Sequence, residues 1–134
     1  LDELAKLGDV QNIPYIIGAN DNDFGLGVDE PMRKSKYYQS MIDFANLRNE
    51  HHGKPTYLYL FNRKLPSDDA GAFHSAELWY MFGTLSRCWR EMEVRDYKIS
   101  DEMVSAWTNF MKSSEPGKGW KPYTEENSFI RMFL

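Results

Sequence analysis

The sequence is poor in the features that mark disulfide-rich, membrane-spanning and nucleic-acid-binding proteins. Its single cysteine, Cys88, has no partner for an internal disulfide and stands outside any CxxC pattern, so we interpret it as a packing residue. No apolar run approaches the roughly 20 residues that a membrane-spanning helix requires. The net charge is −4, and no basic cluster interleaves with aromatic residues, which argues against a nucleic-acid partner.

Aromatic residues, by contrast, are plentiful. They make up 15% of the 134 residues, more bulky apolar surface than one small domain hides easily. We therefore expect one compact unit that exposes some aromatic surface, with possible self-association through it. The chain begins with Leu1 rather than Met, in a short amphipathic stretch, which leads us to expect a segment of a longer protein.

The first half of the chain predicts a strand, a helix and a second strand. Residues 12–18 form an apolar run rich in β-forming residues. From about residue 32 to 52, apolar positions recur at spacings of three and four, which indicates an amphipathic helix. Residues 55–61 form a strand signal whose polarity does not alternate, so both of its faces are expected to be covered. Such a unit leaves its two strands parallel, which predicts an α/β fold.

The second half is predicted to be mainly helical. An apolar helix is expected from about Leu78, and a loop or irregular helix from residue 87 to 96. Ser100 and the two acids after it are typical of a helix start, so we predict a helix from Ser100 to about Ser113. A short terminal strand is expected within residues 128–134. We assign to the core the apolar stripe of the Ser100 helix, which is Met103, Trp107, Phe110 and Met111.

A functional site is predicted at the carboxyl ends of the two parallel strands. Loops that leave this edge of a parallel sheet carry the site, and both the acidic loop at 19–30 and the loop that contains His74 leave it. Neighbouring or next-neighbouring strands lie about 5–10 Å apart, so a carboxylate of the first loop can reach the imidazole of the second. We predict no metal at His51 and His52, since adjacent helical residues point apart, and no cofactor.

Several ordered motifs resemble one enzyme family. Residues 71–83, which read GAFHSAELWYMFG, resemble the histidine segment of type-B carboxylesterases, the cholinesterase-like α/β-hydrolases. The family's closing helix and tail are similar, in the same order, to residues 107–112, Pro116 and residues 120–124. The resemblance implies an α/β-hydrolase fold and ester hydrolysis by a Ser, acid, His triad. His74 matches the histidine that relays the proton between nucleophile and leaving group.

The resemblance also implies the acid of this triad. Residues 17–25, IGANDNDFG, are similar to the family segment in which an acid follows a strand. By position Asp23 matches the residue that orients the imidazole, although the family more often has Glu there, and Asp21 is the alternative. Glu77 is expected to cap or fix the histidine loop rather than to be the triad acid.

Two departures from the family pattern limit what the chain can contain. It has no GxSxG nucleophile elbow and no HGGG-type oxyanion loop, both of which lie upstream in the family. The family also usually has more chain between the acid and the histidine, in helices that roof the pocket.

Residues 1–134 are therefore expected to be a single C-terminal segment of a carboxylesterase-type α/β-hydrolase domain. It would contain a parallel βαβ unit, flanking helices and a short terminal strand, and would be inactive alone. The implied partners are a small-molecule ester and the missing N-terminal part of the same fold. The alternative is a non-catalytic cholinesterase-like interaction domain.

Overall fold

The protein is described by a computed structural model that covers residues 10–23 and 36–134. The rest of the predicted acidic loop and the predicted start of the first helix lie outside these residues. In chain order, the elements are strand β1 (Tyr15–Asn20), helix α1 (Lys36–Glu50), strand β2 (Thr56–Phe61), helix α2 (Leu78–Met81), a 3-10 turn (Leu85–Arg87), helix α3 (Val94–Ser113) and strand β3 (Ile130–Phe133).

The three described strands form one parallel sheet in the order β1-β2-β3. Gly18 stands opposite Tyr59 in the β1–β2 pair, and Leu58 stands opposite Ile130 in the β2–β3 pair. The predicted βαβ unit is confirmed, because β1 and β2 are parallel neighbours with α1 between them in the chain. The carboxyl ends of all three strands consequently lie at the same edge of the sheet.

The central strand β2 is covered on both faces, as its unbroken apolar pattern predicted. All six of its residues are buried. On one face Leu58 packs with Met41 and Ala45 of α1 and with Tyr123. The opposite face packs against α2, α3 and the tail; its cluster includes Tyr57, Tyr59, Phe61, Tyr80, Met103 and Trp120.

One close approach between β1 and β2 requires a glycine. A Cβ atom added to Gly18 would lie 2.2 Å from two ring atoms of Tyr59. The Tyr59 ring is itself held by Trp107, Trp120 and Phe133, whose ring centroids lie 5.1, 6.3 and 6.2 Å from its own. Because these three rings restrict the movement of the Tyr59 ring, only a residue without a side chain fits at position 18.

The start of α3 corrects the sequence prediction. The helix begins at Val94 rather than at Ser100, because Glu93 and Asp96 form a reciprocal capping box across its first turn. Ser100 is buried inside the helix, where its hydroxyl donates to the backbone oxygen of Tyr80 at 2.8 Å. Its side chain therefore joins α3 to α2 instead of capping a helix.

Two smaller predictions about the helices are also corrected. Met111 was assigned to the core but is 77% exposed, whereas Met103 on the same helix is fully buried. The helix after His74 is a single short turn, and Phe82 just beyond it is 69% exposed. Cys88 is half-buried, as expected of a packing residue. In the described ranges no helix has both the length and the apolar character needed to cross a bilayer.

Candidate active site

Asp23 and His74 meet at the carboxyl edge of the sheet. Asp23 Oδ1 lies 2.6 Å from His74 Nδ1, and the side chains are 15% and 58% exposed. A carboxylate can only accept at that position, so Nδ1 carries the proton in this pair. The other ring nitrogen, Nε2, is thereby left with its lone pair in the neutral imidazole. This contact orients a ring that is largely accessible.

The chain reaches Asp23 along a path that is hydrogen-bonded to the histidine loop. Just beyond β1, the Asp21 amide donates to the backbone oxygen of Phe61 at 2.9 Å, and the Asn22 amide donates to that of Ala72 at 3.0 Å. Asn22 and Phe73 also form a parallel bridge. The carboxylate on His74 Nδ1 is that of Asp23, and Asp21, the alternative from the sequence, does not occupy this position.

His74 projects from a tight turn with an uncommon backbone conformation. The turn runs from Phe73 to Ala76 and is closed by a 3.0 Å hydrogen bond from the Ala76 amide to the Phe73 oxygen. Ser75, directly after His74, has a φ of 69°, in the left-handed region that few non-glycine residues adopt. Uncommon backbone conformations of this kind concentrate at functional sites.

Asn20 contributes a contact that the sequence reasoning missed. Its side-chain nitrogen donates to the backbone oxygen of Phe73 at 2.7 Å and also to the carboxylate of Glu77. Glu77 makes no side-chain cap to α2; it reaches the histidine turn through Asn20 instead. The sequence signal was an asparagine at the end of an apolar strand, at a position that the sequence placed in the acidic loop at 19–30.

Two arginines hold the long connection between β2 and α2. Arg90 forms two hydrogen bonds with Asp68, at 2.6 and 2.7 Å, and a third with the backbone oxygen of Pro66 at 2.7 Å. The hydrogen bond from Arg90, with a second from the Ala70 amide, lowers the pKa of Asp68. Closer to β2, Arg63 pairs with the buried Asp96 at 2.6 Å. The loop that presents His74 is thus tied to the residues around the start of α3.

Two carboxylates of the site lie close enough to Tyr59 to affect its pKa. Burial raises the pKa of Tyr59, and the nearby carboxylates of Glu77 and Asp23 raise it further. The Tyr59 phenol is therefore neutral at neutral pH. His51 and His52 lie exposed just after α1, and the described residues contain no group of three or more His, Cys, Asp or Glu arranged to hold a metal ion.

A model of the carboxylesterase family matches residues 19–132. This chain belongs to the carboxylesterase family. It is 33% identical over 98 residues to the human bile salt-activated lipase, which covers 65% of the chain and 13% of the lipase. To the rat bile salt-activated lipase it is 36% identical over 83 residues, which covers 54% of the chain and 14% of that protein. It thus spans only about an eighth to a seventh of these relatives.

Solved esterase structures show the fold of this carboxylesterase-family chain. A thermophilic PNB esterase superimposes with a TM-score of 0.78 at 19% identity, over 98% of this chain and 37% of the esterase. A Geobacillus stearothermophilus carboxylesterase gives a TM-score of 0.72 at 19% identity, over 97% of this chain and 37% of that chain. The fold is therefore that of the α/β-hydrolases, as the sequence resemblance implied.

Proposed function

We propose that this chain is the C-terminal segment of a carboxylic ester hydrolase and carries two members of its catalytic triad. In this proposal His74 is the general base and acid, and Asp23 orients and stabilises the imidazole. The observation that carries it is the 2.6 Å contact between Asp23 Oδ1 and His74 Nδ1. The family match supports ester hydrolysis as the reaction class.

The chemistry assigned to His74 is the relay of one proton in each half-reaction. Nε2 takes the proton of a serine hydroxyl as the serine oxygen bonds to the ester carbonyl carbon. The imidazolium then returns that proton to the leaving alcohol as the carbon–oxygen bond breaks, which leaves an acyl-enzyme. Water then attacks the acyl-enzyme in the same way. Nε2 takes the water proton as the water oxygen bonds to the acyl carbon, and the imidazolium returns that proton to the serine oxygen as the acid is released. Throughout, the ionised Asp23 offsets the positive charge that forms on the ring.

The serine and the oxyanion donors are proposed to lie outside these 134 residues. The sequence has no GxSxG elbow, and the segment corresponds to 37% of the solved esterase chains. Without a nucleophile and preorganised donors, the segment can neither form an acyl-enzyme nor stabilise a tetrahedral intermediate. We therefore expect the 134-residue chain alone to be inactive and to require the N-terminal part of the same fold.

Variants of the complete enzyme test the assigned roles. We expect His74→Gln and Asp23→Asn each to lower kcat for a p-nitrophenyl ester by at least about 10⁴-fold, by analogy with other triads. Asp21→Asn is the matched control, because it makes the same change two residues away and should leave kcat unaltered. Retained activity in His74→Gln would refute the proposal, and a large loss in Asp21→Asn alone would reassign the acid.

The isolated chain provides a separate test of the segment assignment. We expect its hydrolysis of p-nitrophenyl acetate to match that of its own His74→Ala variant. Turnover clearly above the variant would show that these residues already contain a working catalytic site.

A second candidate function is recognition without catalysis. It is favoured by exposed aromatic surface, since Phe82 and Trp89 are each 69% exposed. A complete protein that lacks serine in a GxSxG elbow would support this alternative, and an intact elbow would support the esterase. Sedimentation velocity at several protein concentrations measures whether the exposed aromatic residues cause self-association.

A further inference from the structure

The Asn20 side chain bridges the two loops of the site. Asn20 is the last residue of β1 and is 2% exposed. Its Nδ2 donates to the backbone oxygen of Phe73, immediately before His74, and to the carboxylate of Glu77, three residues after it. Both atoms that it faces are pure acceptors, so the orientation of the amide is fixed, and the oxygen cannot take the place of the nitrogen.

One of the two acceptors of the Asn20 amide belongs to the turn that presents His74. The Phe73 oxygen also accepts the Ala76 amide, which closes the turn that presents His74. Asn20 therefore holds one end of that turn, while the chain that continues from it carries Asp23. The Asn20 amide thus adds a side-chain connection between the segments of the acid and the imidazole to those that Asn22 makes through its backbone and its own side chain.

The Asn20 amide makes these bonds although its own oxygen is left unsatisfied. In the described part of the chain, Asn20 Oδ1 is buried and accepts no hydrogen bond. A buried oxygen without a donor is unfavourable, so the side chain is poorly suited to a purely packing role. Its two donor hydrogens are what the site uses.

We infer that Asn20 is a positioning residue that holds the His74 turn against the end of β1, so that Nδ1 stays in contact with Asp23. Glu77 assists by accepting the second hydrogen of the amide. The expected effect on catalysis rests on the proposed esterase function, whereas the effect on the Asp23–His74 contact does not.

The sharpest variant is Asn20→Asp in the complete protein. It keeps the shape of the side chain, but it replaces both donor hydrogens by an oxygen that faces the Phe73 oxygen and the Glu77 carboxylate. We expect kcat for a p-nitrophenyl ester to fall on the order of 100-fold, the effect of misplacing a catalytic group by about 1 Å. KM should be unchanged, because Asn20 is not assigned a contact with substrate.

Proton NMR gives a readout that does not depend on turnover. A histidine Nδ1–H bonded to a carboxylate gives a strongly deshielded resonance, which His74→Gln would identify in the wild-type protein. We expect Asn20→Asp to weaken or abolish it.

Matched variants separate positioning from general stability. Asn49 is the matched residue, because its own side-chain Nδ2 also donates to a backbone oxygen, that of Tyr123, at 3.0 Å. Neither Asn49 nor Tyr123 is close to His74 in the sequence. Asn49→Asp should therefore leave kcat and the resonance unchanged. Glu77→Gln retains an acceptor and should behave like the wild type, whereas Glu77→Leu should lower kcat and weaken the resonance. The Glu77 pair carries the test if Asn20→Asp does not fold.

An unchanged kcat and resonance in Asn20→Asp, or equal losses in Asn49→Asp, would overturn the assignment of Asn20. If the wild-type protein hydrolyses no ester but Asn20→Asp still removes the resonance, the esterase proposal fails and the positioning role is supported.

Discussion

Removing the charge of Asp96 should destabilise the protein far more than removing a comparable surface charge. Asp96 is fully buried, and it accepts hydrogen bonds from Arg63 Nε at 2.6 Å, from the Tyr80 hydroxyl at 2.7 Å and from the Glu93 amide at 2.8 Å. Asp96→Asn keeps the shape of the side chain. It also leaves the buried Arg63 guanidinium without its closest counter-charge.

The size of the effect follows from these contacts. Breaking a buried ion pair by removing one partner typically costs about 3–5 kcal/mol. Glu93, which contacts Arg63 at 2.9 Å, is unaltered by the substitution, so we expect the lower end, about 3 kcal/mol of unfolding free energy. For a folding unit the size of the 134-residue chain, at about 4 °C per kcal/mol, that lowers Tm by about 12 °C.

The pH dependence of this loss has a defined sign. Burial alone raises the pKa of Asp96, but hydrogen bonds from Arg63 and Tyr80 outweigh it and hold the pKa below the ordinary 3.8. Ionised Asp96 therefore stabilises the fold above that value, and the contribution is lost as pH falls through the lowered pKa. The difference between wild type and Asp96→Asn should be full at neutral pH and shrink below about pH 4.

Urea unfolding followed by circular dichroism at neutral and acidic pH measures the Asp96 effect. The matched control is Glu102→Gln, which removes an acid from the exposed 2.7 Å pair with Arg131. Exposed pairs contribute about 0–1 kcal/mol, so the control should be close to wild type. If Asp96→Asn destabilises the protein no more than Glu102→Gln does, the buried network is not a source of stability and the reasoning fails.

Two further substitutions test the backbone features near the site. Gly18→Ala should destabilise the protein by about 1–3 kcal/mol in urea unfolding, because its methyl group overlaps the Tyr59 ring. Tyr59→Leu, combined with Gly18→Ala, should recover part of that loss. Simple additivity of the two destabilisations would contradict the overlap. Ser75→Gly should be neutral or slightly stabilising, while Ser75→Val should lower Tm, since a β-branched residue tolerates a φ of 69° poorly; equal Tm values for the two variants would argue against strain at this position.

The sequence predicted those parts of the fold that rest on hydrophobic pattern. The run at 55–61 became β2, and the three- and four-residue spacing before it became α1. The meeting of a carboxylate of the first loop with His74 was predicted for the same reason, because parallel strands bring their carboxyl ends to one edge whatever the loops contain. The resemblance to the carboxylesterase family, rather than this topology, implied that the carboxylate is Asp23.

What the sequence did not reveal depends on polar contacts between distant residues. The stretch 87–96 is charged and was predicted to be a loop or irregular helix, yet Asp96 lies buried in the first turn of α3, where Arg63, more than thirty residues earlier, neutralises it. That pairing also explains the misplaced start of α3, since the capping acids were read as loop. Asn20 was missed because its partners, Phe73 and Glu77, are distant in sequence.

The Gly18–Tyr59 contact also fixes how far β1 can slide along β2. A slip of two residues would keep every side chain on its proper face, which makes it the most plausible error of pairing. It would also move Asp23 by about 7 Å relative to β2, too far to reach His74. The slip is blocked because it would place Ile16 or Asn20, rather than Gly18, under the Tyr59 ring. Gly18, a residue with no side chain, therefore sets the strand register that brings Asp23 within reach of His74.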